Sequence, residues 1–350
     1  MSIEDIRKLH RQIASLANQT HKCDVLTRVD DDDCAVIQPA SQIMVITTDF
    51  INSSPAIIEL GNGSWYELGQ LVVCHNLADL AGSGCFARFF MSGICVPRDA
   101  TNEDVLSFTR GVCDICAKYN CSLIGGDTKV GRTRAIYGTA IGSPMAVTGP
   151  FLRTNAQPGY KIGVSGCLGS FAAAVVCLHI GTKLFSPSEI GRANEILLNT
   201  EVPFEVARHV ASSGYPCTGT DISDGLGTDL LDICKSSSVT AIIDEAAIPV
   251  DKFAQVVASR LNIPAWSFAF TCGGDFACIF GLPAQSINTD VESGLHIIGE
   301  FQQGLPILWS NMLDCPLDPI GHSASRTKVF ADEILTNARI IEALYGTRTL

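Results

Sequence analysis

Asp221-Ile222-Ser223-Asp224-Gly225-Leu226 is the stretch that decides how this chain is read. Two carboxylates and a hydroxyl crowd against a glycine ahead of a helical segment, and no packing requirement puts them there. Groups of the same kind recur outward from it: Asp32-Asp33-Cys34-Ala35-Val36-Ile37, Thr47-Thr48-Asp49, Asn76-Leu77-Ala78-Asp79 and Gly125-Gly126-Asp127-Thr128. Carboxylates placed one or two at a time at the ends of apolar segments suit a site for several hard divalent cations, because Mg2+ takes oxygen ligands and holds substrate phosphates. The pattern predicts acidic turns gathered around a nucleotide that is handled through metal ions.

The rest of the composition bounds that reading. The chain has 350 residues, 47% of them apolar and 17% charged, and the size favours two domains. So low a charge density suggests apolar surface covered by a partner, with a homo-oligomer as the default. A net charge of −12 and the lack of any basic run argue against nucleic acid as a partner. A nucleoside triphosphate is compatible with that acidity when Mg2+ lies between carboxylates and phosphates. The 15 cysteines are odd in number and scattered, and no secretory leader is evident. Cys113 and Cys116 form the one C-x-x-C, and Cys116 falls on the apolar face of a helix with Val105, Phe108, Val112 and Ile115. Reduced core thiols and a cytoplasmic location follow. No apolar run is long enough to span a membrane.

Strand-like and helix-like segments alternate. A helix is expected over Ile3 to Leu16, strands over Cys34 to Ile37 and Ile43 to Thr48, a long helix over Trp65 to Ala81, and a strand over Phe89 to Val96. Thr101 is placed to cap a helix reaching Tyr119. Ser122 to Ile124 reads as a short strand feeding Gly125-Gly126-Asp127, and Ala135 to Ile141 as another. Gly149-Pro150 breaks the pattern, which places an N-terminal domain at 1–150, a second at 151–330 and a helical tail at 331–350. The second half opens with a strand, Lys161 to Ser165, then Gly163, Gly166 and Gly169 ahead of a helix of small residues. That spacing is not a dinucleotide fingerprint, and helix packing and phosphate contact remain equal readings of it. No Walker A loop is present.

The ordered set Asp-Asp-Cys-Ala-Val-Ile, Thr-Thr-Asp, Asn-Leu-Ala-Asp-Leu-Ala, Ile-Gly-Gly-Asp-Thr, Asp-Ile-Ser-Asp-Gly-Leu and Gly-Gly-Asp-Phe resembles the superfamily of aminoimidazole ribonucleotide (AIR) synthase and thiamine-monophosphate kinase, with the kinase branch nearest. The resemblance spans roughly residues 30 to 310. It implies a two-domain α/β (α+β) fold whose N-terminal domain lends strands to a dimeric β-barrel, beside a C-terminal α/β domain. It implies ATP and Mg2+ in the cleft, with metal ligands at Asp33, Asp49, Asp79, Asp127, Asp221 and Asp224, of which Asp127 and Asp224 fall at catalytic positions. Thr47, Thr48, Gly125, Gly126, Arg153 and Ser223 match positions on the nucleotide side. By residue type alone, Arg153 is a surface arginine, Asp49 and Asp127 could be turn formers, Asp221 and Asp224 could cap a helix, and His75 is a satisfied, partly buried histidine rather than a general base.

The departures fall on the acceptor side. The kinase branch has a substrate-facing His soon after Thr-Thr-Asp, and Phe50 to Ala56 contains none. Its Gly-Gly-Glu-Asp-Tyr-Glu is Cys272-Gly273-Gly274-Asp275-Phe276-Ala277 here. The resemblance therefore implies an ATP- and Mg2+-dependent phosphotransferase acting on a small molecule that need not be thiamine monophosphate. Two alternatives are an AIR-synthase-like ligase that activates an amide oxygen, and a nucleotide-binding homologue without turnover.

Overall fold

The computed structural model describes residues 26, 35–38, 43–51, 55–286, 294–318 and 330–345. The expected helix at 3–16 lies outside them, as does Asp33. In the first half, β1 (Ala35–Ile37) and β2 (Met44–Ile51) precede a single helical turn, α1 (Ala56–Glu59), and the long helix α2 (Trp65–Gly82). Then come β3 (Cys85–Pro97), α3 (Asn102–Lys118), β4 (Ser122–Gly131) and β5 (Ala135–Pro144). Both long helices open on a capping box, Ser64 with Glu67 and Thr101 with Asp104, which satisfies backbone N–H groups that have no partner inside the helix.

The five strands run in the order β1-β2-β5-β3-β4, with β3 and β4 parallel and the other pairs antiparallel. Helices α2 and α3 pack on one face. They approach closely because each offers a glycine to the other: a Cβ on Gly69 would sit 2.0 Å from the Phe108 carbonyl oxygen, and one on Gly111 2.0 Å from that of Tyr66. The opposite face carries Phe50, Phe86, Phe89, Met91 and Tyr137, all exposed.

The second half supplies β6 (Tyr160–Ser165), α4 (Ser170–Ile180), α5 (Pro187–Leu197), α6 (Phe204–Ala211), β7 (Thr218–Asp221), α7 (Leu226–Ser237), β8 (Val239–Ile243), α8 (Lys252–Leu261) and α9 (Trp266–Thr271). It continues with β9 (Cys278–Pro283), β10 (Leu295–Gln303), β11 (Leu308–Ser310), β12 (Cys315–Leu317) and α10 (Phe330–Tyr345). A mixed seven-stranded sheet results, in the order β12-β11-β8-β10-β6-β9-β7. Helix α4 is apolar on every side, and a helix of that kind must be buried all round. Residues Ala172 to Cys177 are buried, in a layer shared with α5, α8 and α10.

The two halves share a core. Phe276, Cys278, Phe280 and Leu282, from β9 and the loop before it, cluster with Val45, Leu77, Phe90 and Phe151. They also meet at the end of α2, where a Cβ on Gly82 would lie 2.4 Å from the Asp221 backbone nitrogen and one on Gly219 2.2 Å from the Gly82 oxygen.

Two of the expected acidic turns are not turns, and a third group, Asn76 to Asp79, lies in the helix expected over Trp65 to Ala81. Thr47 to Asp49 sit inside β2, and Gly125 to Asp127 inside β4, which runs on to Gly131 because β3 offers it a partner as far as Pro97. Asp221 to Gly225 does form a strand end and bend, as its glycine suggested.

Candidate active site

Along β2 the side chains alternate, so Thr47, Asp49 and Ile51 face α2 while Thr48 and Phe50 face the other way. Thr47 Oγ1 donates to Asp79 Oδ2 at 2.5 Å, and the Asp49 backbone N–H donates to Asn76 Oδ1 at 3.1 Å. Asn76 Nδ2 in turn donates to the Val72 carbonyl. The motif Asn-Leu-Ala-Asp thus places its two polar residues, three apart and on one helical face, against the strand carrying Thr47 and Asp49. Thr48 does not join them: its hydroxyl donates to the Gly138 carbonyl and meets Thr139 on the far side of the sheet, as strand alternation requires.

From the other half, β7 delivers Asp221 to the same seam. Asp79 and Asp221 are both buried, and both charges act on the Cys278 thiol, which burial first pushes well above its ordinary range. Arg153 contacts the residue before Asp221, with Nε and Nη2 donating to Thr220 Oγ1 at 3.3 and 3.1 Å. Ser223 and Asp224 are exposed on the bend beyond. Gly225 begins α7 with φ +110, and a Cβ there would lie 2.6 Å from the Cys272 nitrogen. Neither Asp221 nor Asp224 caps the helix; instead buried Asp229, in its first turn, accepts the Asp224 N–H at 3.1 Å.

Asp127 is not brought to this cluster. It pairs with Gly93, whose missing side chain would strike the Tyr137 ring on the helix-free face, so Asp127 projects from the face opposite Asp49. It also lies three strands away, about 14 Å at ordinary strand spacing. Its carboxylate is exposed and pairs with Lys129. Gly125 and Gly126 lie exposed on the same edge strand. Among the described residues, no three His, Cys, Asp or Glu side chains are already gathered to hold one metal ion. The donors at the seam are nonetheless carboxylate and hydroxyl oxygens, the type that Mg2+ takes.

The sequence reading of His75 as a partly buried histidine holds, whereas the role of Asp275 was missed. His75 is half-buried at the seam, its ring edge-on to Phe276 with centroids 5.4 Å apart. Burial lowers its pKa, and the nearby Asp49 carboxylate opposes that shift. The Asp275 carboxylate takes the Gly169 N–H at 2.6 Å, the Ser170 hydroxyl at 2.6 Å and the Phe171 N–H at 2.8 Å. The start of α4 is therefore filled by the chain's own carboxylate. Burial raises the Asp275 pKa against those hydrogen bonds.

A two-sheet α/β protein with acidic residues from both halves meeting along one seam is the class this arrangement defines. Residues 31–143 match the AIR synthase related protein, N-terminal domain family. Thiamine-monophosphate kinase of Pyrococcus horikoshii is 28% identical over 239 residues, covering 68% of this chain and 72% of that protein. The corresponding kinase of Methanopyrus kandleri is 28% identical over 278 residues, covering 79% and 84%. In fold, the chain is similar to the structure described as AaThiL complexed with AMPPCP and TMP, with a TM-score of 0.77 at 21% identity, over 91% of this chain and 98% of that one. Over residues 31–143 the chain is similar to the AIR synthase related proteins, and over two thirds or more of its length it is homologous to the thiamine-monophosphate kinases, which are ATP-dependent kinases.

Proposed function

We propose that this protein transfers the γ-phosphoryl group of ATP, with Mg2+, to a small-molecule acceptor other than thiamine monophosphate. The observation that carries the proposal is the seam at Gly82 and Gly219, where Asp79, hydrogen-bonded to Thr47, and Asp221 of the other half are both buried and act on the same Cys278 thiol. Phosphoryl transfer asks a protein mainly for positioning and charge neutralisation, and such a seam supplies both. In this reading Mg2+ is held by Asp49, Asp79, Asp221 and Asp224, joined by Asp33, and neutralises charge on the phosphates. Arg153, steadied by Thr220, and Ser223 serve the nucleotide. Asp127, Thr48, Gly125 and Gly126 are left to the edge strand and the open face of the sheet.

The altered acceptor is supported by Gly274. With φ +97 and a Cβ position 2.3 Å from the Phe171 ring, it has no room for the Glu of the kinase motif. The exposed Phe50, Phe86, Phe89, Met91 and Tyr137, beside β4, which has a single strand partner among the described residues, support a homodimer in which a second copy covers this face. A cytoplasmic location suits a nucleotide-using enzyme with free thiols.

The test is titration calorimetry with AMPPCP, with and without Mg2+, then with thiamine monophosphate, followed by product analysis using γ-labelled ATP and a panel of small metabolites. Mg2+-dependent nucleotide binding with label transferred to an acceptor other than thiamine monophosphate supports the proposal. Label released only as phosphate favours the ligase reading, and absence of nucleotide binding refutes both.

A further inference from the structure

Helix α3 ends in a turn with a specific geometry. The Cys121 N–H donates to the Cys116 carbonyl at 2.8 Å, the Asn120 N–H donates to the Ala117 carbonyl at 3.2 Å, and Asn120 is left-handed with φ 51. Those bonds define a Schellman motif, which folds the residue after the left-handed position back onto the one five earlier and normally makes an apolar contact there. Here both contact positions are cysteine. Both side chains lie in the core beneath the turn, with Cys121 the less covered at 7% exposure against 3%.

We propose that Cys116 and Cys121 form a peroxide-oxidisable dithiol site that closes to a disulfide across this turn. The Cys121 thiolate attacks hydrogen peroxide, the O–O bond breaks, hydroxide leaves, and the sulfur is oxidised to a sulfenic acid. The Cys116 sulfur then attacks it, the S–S bond forms as the S–O bond breaks, and the departing hydroxide takes the Cys116 proton. Two thiols and one peroxide thus give one disulfide and two waters. Cys121 is the first nucleophile because it is the less covered of the two thiols and meets peroxide first.

Exposed Cys113 is the competing partner, but it stands three residues before Cys116 on a regular helix. Side chains so placed have Cβ atoms about 5–6 Å apart, against the ~3.8 Å a disulfide needs. The turn leads straight into β4, and the same helix end grips residues 200–202 through Lys118 and the Tyr119 hydroxyl. The disulfide would staple α3 to β4 where both elements are already anchored.

The experiment takes the reduced full chain, exposes it to hydrogen peroxide, blocks remaining thiols, and digests it with trypsin without reductant. Mass spectrometry is expected to find peptide 111–118 joined to 119–129, two hydrogens lighter than their sum, separating on reduction, in protein that keeps its circular dichroism spectrum. The link should persist in Cys113→Ser. Oxidation of Cys113 without a cross-link, loss of the link in Cys113→Ser, or unfolding as the link forms would each overturn the proposal.

Discussion

Replacing Gly82 with alanine tests whether the approach of α2 to β7 sets the spacing of the seam carboxylates. The added carbon would lie 2.4 Å from the Asp221 nitrogen and 2.5 Å from the Thr220 carbonyl carbon, both backbone atoms that no rotamer change can move. Carbon contacts relax only near 3.5–4.0 Å, so helix end and strand must part by about 1 Å. Overpacking of this kind costs about 1–3 kcal/mol, and the better helix propensity of alanine returns about 1 kcal/mol, leaving a net loss of about 0–2 kcal/mol. A displacement of about 1 Å between groups that must act together can cost roughly 100-fold in rate. Gly82→Ala should therefore shift the urea midpoint only modestly while lowering γ-phosphate turnover in saturating Mg2+ by about that factor. Gly191→Ala is the control: it lies within α5 with nothing inside 4 Å of its Cβ position. It should gain up to about 1 kcal/mol with unchanged turnover. Wild-type turnover in folded Gly82→Ala would show that this contact does not govern the site.

Asp79→Asn keeps an acceptor for the Thr47 hydroxyl but removes the charge, so turnover should vanish while the melting profile stays close to wild type; retained activity at saturating Mg2+ would remove Asp79 from the proposed ligands. For His75, a pKa held below its ordinary value means that the unfolded chain binds the proton more readily, so this residue's stabilising contribution is complete above about pH 6.5 and fades on acidification. His75→Gln should flatten the loss of stability between pH 7 and pH 5 relative to wild type, and parallel melting curves across that range would contradict the assignment. Asp275→Asn replaces one acceptor oxygen by a donor facing the N–H or O–H groups that begin α4, with an expected cost of about 1–3 kcal/mol in urea unfolding. A change within a few tenths of a kcal/mol would mean that α4 does not depend on it.

Much of the architecture was legible because periodicity and caps are local. Thr101 marks a helix start that was read from sequence, and the structure adds the Ser64 and Glu67 box at the start of α2. The acidic motifs were legible as a set, but their placement was not. Thr47 and Thr48 look equivalent in sequence, and only pairing with β5 and packing under α2 send their hydroxyls to opposite faces. Asp127 looks like Asp49 until register aligns it with Gly93 on the helix-free face. Gly82 and Gly219 carry no signal as single residues, because their value lies in meeting each other across 137 positions. Asp275 read as a departure from a family motif; its partners, more than 100 residues away, are visible only in the folded chain.

The core shared between β9 and the first sheet also bears on the order in which the chain can fold as it is made. When synthesis has passed β5, every strand of the five-stranded sheet exists, yet Phe276, Cys278, Phe280 and Leu282, which complete its hydrophobic cluster, have not been translated. A nascent first half must wait for more than a hundred further residues with that cluster open. A fragment ending near residue 150 should be poorly soluble by itself and recoverable when residues 151–350 are co-expressed, so the halves behave as one cooperative unit despite having separate sheets.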